Sequence, residues 1–178
     1  YLMLIWSPYR WKRIMSFLDP FSKENIQAGA YQLVQSLKAF ASGGLWGLGL
    51  GNGQQKLGYL PEAHTDFIFA VVGEELGLVG VLVSISLILF IVYRGFRISL
   101  RCPTLFGRYL AFGLSSLIAL QTLINMGVVM GALPTKGMPL PFLSFARSSL
   151  IVVMASIGIL LQIESRTKEA RYEQARKT

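Results

Sequence analysis

Long, uncharged and strongly apolar runs of this chain fall at Leu76 to Val92, Tyr109 to Met130 and Ser148 to Ile163. A bilayer core of about 30 Å is crossed by about 20 helical residues. Extended to residues 66–93, the first run is long enough to cross, with Glu74 and Glu75 toward one end. The second, 109–130, comes to about 33 Å at 1.5 Å per residue. The third, 148–163, reaches only about 24 Å and must borrow from 140–147 or sit in thinner membrane. Residues 1–6, apolar and ending in Trp6, read as the last turns of a further, truncated spanning helix with its aromatic at the interface. The prediction is an all-α polytopic membrane protein.

The connecting segments carry their own signals. Arg94, Arg97, Arg101 and Arg108 crowd the 94–108 loop without an acid, and Arg166, Lys168, Arg171, Arg176 and Lys177 mark the tail, 164–178. By the bias of Lys and Arg toward the cytoplasm, both are expected inside, and 7–65 and 131–147 outside. Arg10, Lys12 and Arg13 run against that bias, but long loops translocate largely regardless of charge. Within 7–65, a turn at Asp19-Pro20 precedes Ala28 to Ser42, where Tyr31, Leu33, Val34, Leu37 and Phe40 alternate with polar residues as in an amphipathic helix lying at the surface. Glycine then recurs through residues 43–53, too often for a stable helix, and lets backbone approach a partner or ligand closely. Gly47-Leu48-Gly49 does not open a dinucleotide fingerprint, because no strand precedes it and no helix with an acidic follower comes after.

Composition agrees. Hydrophobic residues make up 53% of the chain, too many for an ordinary soluble domain. Seventeen Lys and Arg against nine Asp and Glu leave +8, which in so apolar a chain reflects loops beside anionic membrane lipids and not a nucleic-acid partner. A single cysteine, Cys102, excludes an internal disulfide and reads as an inert thiol.

Candidate chemistry concentrates where the chain re-enters the membrane. Between Glu62 and Glu75 lie four carboxylates and His64, the lone histidine. Acids at or in a bilayer are costly and are functional candidates by default. Asp66, at the first turn of an outward-facing helix end, sits where lipid headgroups meet water, and partial desolvation suits it to act as a general base. Its structural alternative is a helix cap. Glu74 and Glu75 lie two turns deeper and diverge by about 100°, so at most one can point into the bundle with Asp66; the other expectation is an internal ion pair with a base such as Arg147. His64 can hydrogen-bond Asp66 or a phosphate, or serve structure alone. The spacing does not suit zinc, while a hard divalent ion bridging a carboxylate and a substrate diphosphate stays open.

A second group spans Leu133 to Leu150. Three prolines keep a regular helix out of the loop, and Lys136 and Arg147 offer cations on the side of Asp66. Ser148 and Ser149 read as helix-start residues. Gln121 and Asn125, four apart in the 109–130 span, read as a pair that glues helices together.

In order and spacing, Tyr59-Leu60-Pro61-Glu62-Ala63-His64-Thr65-Asp66-Phe67-Ile68-Phe69, Gly73-Glu74-Glu75-Leu76-Gly77, Leu133-Pro134-Thr135-Lys136-Gly137 and Pro141-Phe142-Leu143-Ser144 resemble the C-terminal half of the SEDS proteins (shape, elongation, division, sporulation). Asp19-Pro20-Phe21, Tyr31-Gln32-Leu33, Gln35-Ser36 and Gln54-Gln55-Lys56 add to the likeness, which covers nearly the whole chain. Pro134-Thr135-Lys136-Gly137 looks more like the division and sporulation branch (FtsW, SpoVE) than the elongation branch (RodA). The resemblance implies the C-terminal part of a multi-helix bundle with a large extracytoplasmic loop, in the bacterial cytoplasmic (inner) membrane. It implies a peptidoglycan glycosyltransferase that joins lipid II units into glycan strands alongside a class B penicillin-binding protein and other division proteins. On the family's motif Asp66 is the catalytic acid; Lys136, His64, Glu62, Arg147 and Ser144 are candidate substrate-binding residues, supported by Glu74 and Glu75. A divalent cation, Mg or Mn, is implied as a helper without a dedicated protein site. Where the family usually carries two glycines before Ser-Ser, this chain has Ala146 and Arg147, a departure that bears on activity and not on fold. A lipid II flippase and a non-catalytic division scaffold are the other readings.

Overall fold

The computed structural model describes residues 31–53, 66–134 and 137–177, and the expectations for 1–30 lie outside them. Within the described residues four helices follow in chain order: α1 (Tyr31–Gly43), α2 (Ile68–Arg101), α3 (Leu105–Val129) and α4 (Arg147–Lys177). Among the described residues there is no strand. Three helices among the described residues are long and apolar enough to cross a membrane: Ile68–Arg101, Leu105–Val129 and Arg147–Glu169. No more than 33% of the most apolar window of each is buried inside, so most of the apolar surface faces outward, as lipid-solvated helices require.

The helices outrun the apolar stretches that define them. α2 continues through Arg94, Arg97 and Arg101, so the 94–108 connection shrinks to a turn at Cys102–Thr104. Arginine is a good helix former, and the break waits for Pro103, which disfavours helix in the residue before it. Buried Cys102 caps α2 through its N–H, and its sulfur lies 3.4 Å from Thr104 Oγ1. α4 likewise runs past Ile163, so its span takes only Arg147 from 140–147.

α1 is the helix that the amphipathic alternation predicts, and its buried face lies on protein. It packs against α2 and the end of α3, burying Leu33, Val34, Ser36, Ala39 and Gly43. Ser36 Oγ donates to Val129 O (2.7 Å), and Phe40 meets Phe69 edge-on at 5.8 Å between centroids. The small residues at 36, 39 and 43 explain the close approach: a methyl group on Gly43 would strike Gly73 O, and one on Gly73 would strike the Phe40 ring. The core continues through Phe67, Phe69, Ala70, Ile118, Val128, Val129 and Leu140. A smaller cluster of Ile98, Ala111 and Leu160, with Leu114 and Ile163 against it, ties α4 to the Arg-rich ends of α2 and α3.

α2 is broken at Gly77 (φ 64°, ψ −162°). Helical hydrogen bonds lost there must be replaced, because apolar surroundings offer none. The glycine-rich segment replaces them: Leu48 N–H donates to Glu74 O (3.0 Å) and Gly49 N–H to Glu75 O (3.0 Å), while Leu78 N–H donates to Gly44 O (3.0 Å) and Val79 N–H to Leu45 O (3.4 Å). The partner these glycines approach so closely is α2 itself.

Candidate functional site

Asp66 and Phe67 form the turn that leads into α2, at the end of the bundle where α1, the glycine-rich segment and the proline loop meet. Asp66 is half-buried, and its carboxylate faces the loop backbone: a methyl group on Gly137 would lie 2.7 Å from Asp66 Oδ2. Asn125, buried on α3, donates through Nδ2 to Asp66 O (2.9 Å) and to Met138 O. One turn away on α3, Gln121 Nε2 donates to Pro139 O (2.9 Å) and Ser149 Oγ (3.3 Å). One face of α3 thus fastens the backbone of Asp66, the loop at 138–139 and the start of α4. Gln121 and Asn125 do join elements: both grip loop carbonyls, and Gln121 also ties α3 to α4 through Ser149. Asn125 is the site residue that sequence reasoning underrated; its signal was its amide, set one turn from Gln121 in an otherwise apolar helix.

The loop itself is tightly wound. Leu140 and Pro141 are buried, Ser144 is buried with its N–H on Leu140 O (3.1 Å), and Phe142 holds φ 69°, which a bulky residue seldom adopts. Such backbone is kept only where its surroundings over-determine it. Ser144 belongs to this folded loop, and Met138 of the same loop is tied with Asp66 to Asn125.

Glu74 is 1% exposed and lies with Glu75 beside Gly53, where a methyl group would come within 2.8 Å of Glu74 Oε2. Glu74 follows Asp66 by eight residues, about 12 Å at helical rise, and both acids precede the helix break at Gly77. Arg147 is exposed and lies over the Phe145 ring (5.8 Å), and among the described residues no ion pair joins it to Glu74. The expected internal pair between them is not formed, because Arg147 opens α4 on the outer surface while Glu74 is enclosed. Glu62, His64 and Lys136 lie outside the described residues.

Membrane-spanning helices capped at one end by an acid, a wound proline loop and a glycine-spliced helix define a polytopic membrane protein with a site at the bundle's end. The chain belongs to the FtsW/RodA/SpoVE family of cell cycle proteins, whose model matches residues 1–169. It is 49% identical over 168 residues to the probable peptidoglycan glycosyltransferase FtsW of Geobacter metallireducens, covering 94% of this chain and 44% of that protein. The probable peptidoglycan glycosyltransferase FtsW of Alkalilimnicola ehrlichii is 50% identical over 167 residues, covering 92% and 41%. The chain therefore spans less than half the length of these relatives. A solved chain, described under structural coordination of polymerization and crosslinking by a peptidoglycan synthase complex, superposes with a TM-score of 0.73 at 27% identity, over 93% of this chain and 44% of that one.

Proposed function

We propose that this chain supplies the acidic side of a peptidoglycan glycosyltransferase site that polymerises lipid II on the outer face of the bacterial cytoplasmic membrane, in cell division or sporulation. Asp66 is the general base: it takes the proton of the acceptor sugar hydroxyl as that oxygen bonds to the donor sugar and the lipid diphosphate departs. Lys136 and Arg147, on the proline-loop side, are the cations for the departing charge, with His64, Glu62 and Ser144 binding substrate and Glu74 and Glu75 supporting the fold around them. The observation that carries this reading is the fixed placement of Asp66, with its carbonyl held by Asn125 and its carboxylate against Gly137. The likeness to proteins named peptidoglycan glycosyltransferases supports the reaction class, and the likeness to a chain of a synthase complex supports a class B penicillin-binding protein, with other division proteins, as partner.

Among the described residues no cluster of three His, Cys, Asp or Glu could cage a metal. The half-buried Asp66 carboxylate fits instead as one oxygen ligand of a Mg or Mn ion whose other ligands come from substrate and water. Such an ion would supply neutralising charge at the diphosphate.

The test is polymerisation of labelled lipid II by the full-length protein with its partner, comparing Asp66→Asn with the parent at matched membrane levels. Loss of glycan strands by a factor of about 100 or more, with lipid II binding retained, is expected for a general base. Undiminished strands would remove Asp66 from the chemistry, and no strands even from the parent would favour the scaffold reading.

A further inference from the structure

The tip of the glycine-rich segment is apolar and faces outward. From Ala39 to Gln55 the chain carries no charged residue, and Leu45, Trp46, Leu48 and Leu50 are exposed, Trp46 at 83%. Their backbone is tied down all the same. Gly47 N–H donates to Gly43 O (2.7 Å), Gly44 O and Leu45 O accept from Leu78 and Val79, and Leu48 and Gly49 donate to Glu74 O and Glu75 O. Irregular backbone is tolerated at membrane depth only where the protein itself satisfies its polar groups. This segment meets that condition while turning large apolar side chains away from the protein.

The depth of the tip is set by α2. Arg94 is the first cation after the uncharged stretch that begins at Leu76, and it marks one edge of the hydrocarbon core. A core of about 30 Å, or about 20 helical residues, counted back from Arg94 along α2 ends near Glu74. Val79 then lies about 7 Å inside that edge at helical rise, and Leu45, bonded to it, shares its level with Trp46 next in the chain. Leu48 to Gly53 lie level with Glu74 and Glu75, at the boundary. Leu76, Leu78 and Val79 are exposed beside the tip, so its apolar surface runs on into that of the spanning helix. Spanning helices pair over small residues, whereas two large side chains project here, a shape suited to fluid acyl chains, and tryptophan is the residue that membrane interfaces favour. We propose that Leu45 and Trp46 insert into the acyl-chain edge of the leaflet at the Asp66 end of the bundle, so that lipid is the occupant of this face. The inference rests on hydrogen bonds, exposure and helical rise, and is independent of the polymerase reading and of which end faces outward.

The experiment is spin labelling of the full-length protein in phosphatidylcholine vesicles, its native cysteines replaced by serine and a nitroxide attached at Trp46→Cys or at Leu50→Cys. Both positions are exposed, so neither label displaces core packing. Collisions with oxygen, which concentrates among acyl chains, are compared with collisions with a polar nickel chelate, which stays in water. The oxygen-to-nickel ratio is expected to be about tenfold or more higher at 46 than at 50, because the chelate must shed water to follow the label into hydrocarbon. Equal ratios at the two positions, or nickel collisions dominating at 46, would put the tip in water and overturn the insertion. Few collisions of either kind at 46 would show that protein covers the tip, and would overturn lipid as its occupant.

Discussion

Two residues on one turn of α3 decide how firmly the outer site is held. Asn125 spends both N–H bonds of its amide on backbone carbonyls, one beside the candidate base and one in the proline loop. Asn125→Ala removes both donors at a buried position, a loss of about 1–2 kcal/mol, read as a lowered melting temperature in detergent. It is a positioning residue, so the glycan-forming rate should fall while lipid II affinity holds; an equal fall in affinity would instead mean that the loop binds substrate directly. The sequence made Asp66 legible because an acid at a membrane boundary is energetically conspicuous. It made Asn125 visible only as a polar side chain on an apolar helix. Periodicity gives the face a side chain occupies, not which distant loop will present its carbonyls there, and Pro139 and Pro141 leave that loop short of donors of its own.

Among the elements, the spliced helix α2 and the segment that splices it are the least independent. Gly47 (φ 78°) sits so close to α2 that a methyl group would strike the Glu75 carbonyl, whereas Gly44 (φ 54°) has open space around it. Both pay the conformational penalty of a left-handed alanine, about 1 kcal/mol; only Gly47→Ala adds a backbone collision. Gly47→Ala should therefore lower the melting temperature at least twice as far as Gly44→Ala, and equal shifts would show that the loop is not docked on α2. The three spans were readable from charge-free runs, but their ends were not. Hydropathy stops at the first arginine while the helix stops where backbone chemistry stops it, at Pro103 for α2. The packing of α1 on α2 was hidden for a related reason: Ser36 and Gly43 count as polar or neutral positions, yet small size made them contact points.

For the whole molecule, the two ends of the bundle differ in kind, one carrying a fixed acid beneath wound loops and the other a group of arginines. By the bias of Lys and Arg, we propose that the second end faces the cytoplasm. In a Cys102→Ser background, Leu50→Cys, exposed in the glycine-rich segment, should react with a membrane-impermeant maleimide on intact cells, and Glu169→Cys only after permeabilisation. The reverse pattern would invert the orientation and move Asp66 to the wrong side for extracytoplasmic chemistry. The family likeness was legible because its motifs are long and ordered, while the depth of Leu45 and Trp46 was not, since it exists only once the glycine-rich segment is bonded along α2.

The break at Gly77 also bears on the order in which the protein is made. Every partner that heals it, from Gly44 to Gly49, lies upstream of α2 and has been synthesised before the break leaves the ribosome. The repair strip is thus available when the helix arrives, and the exposed amides and carbonyls need not wait for later spans. Reversing that order by circular permutation would leave four backbone groups to enter the bilayer unsatisfied, at several kcal/mol apiece, and insertion would stall at a point that the native order of synthesis avoids.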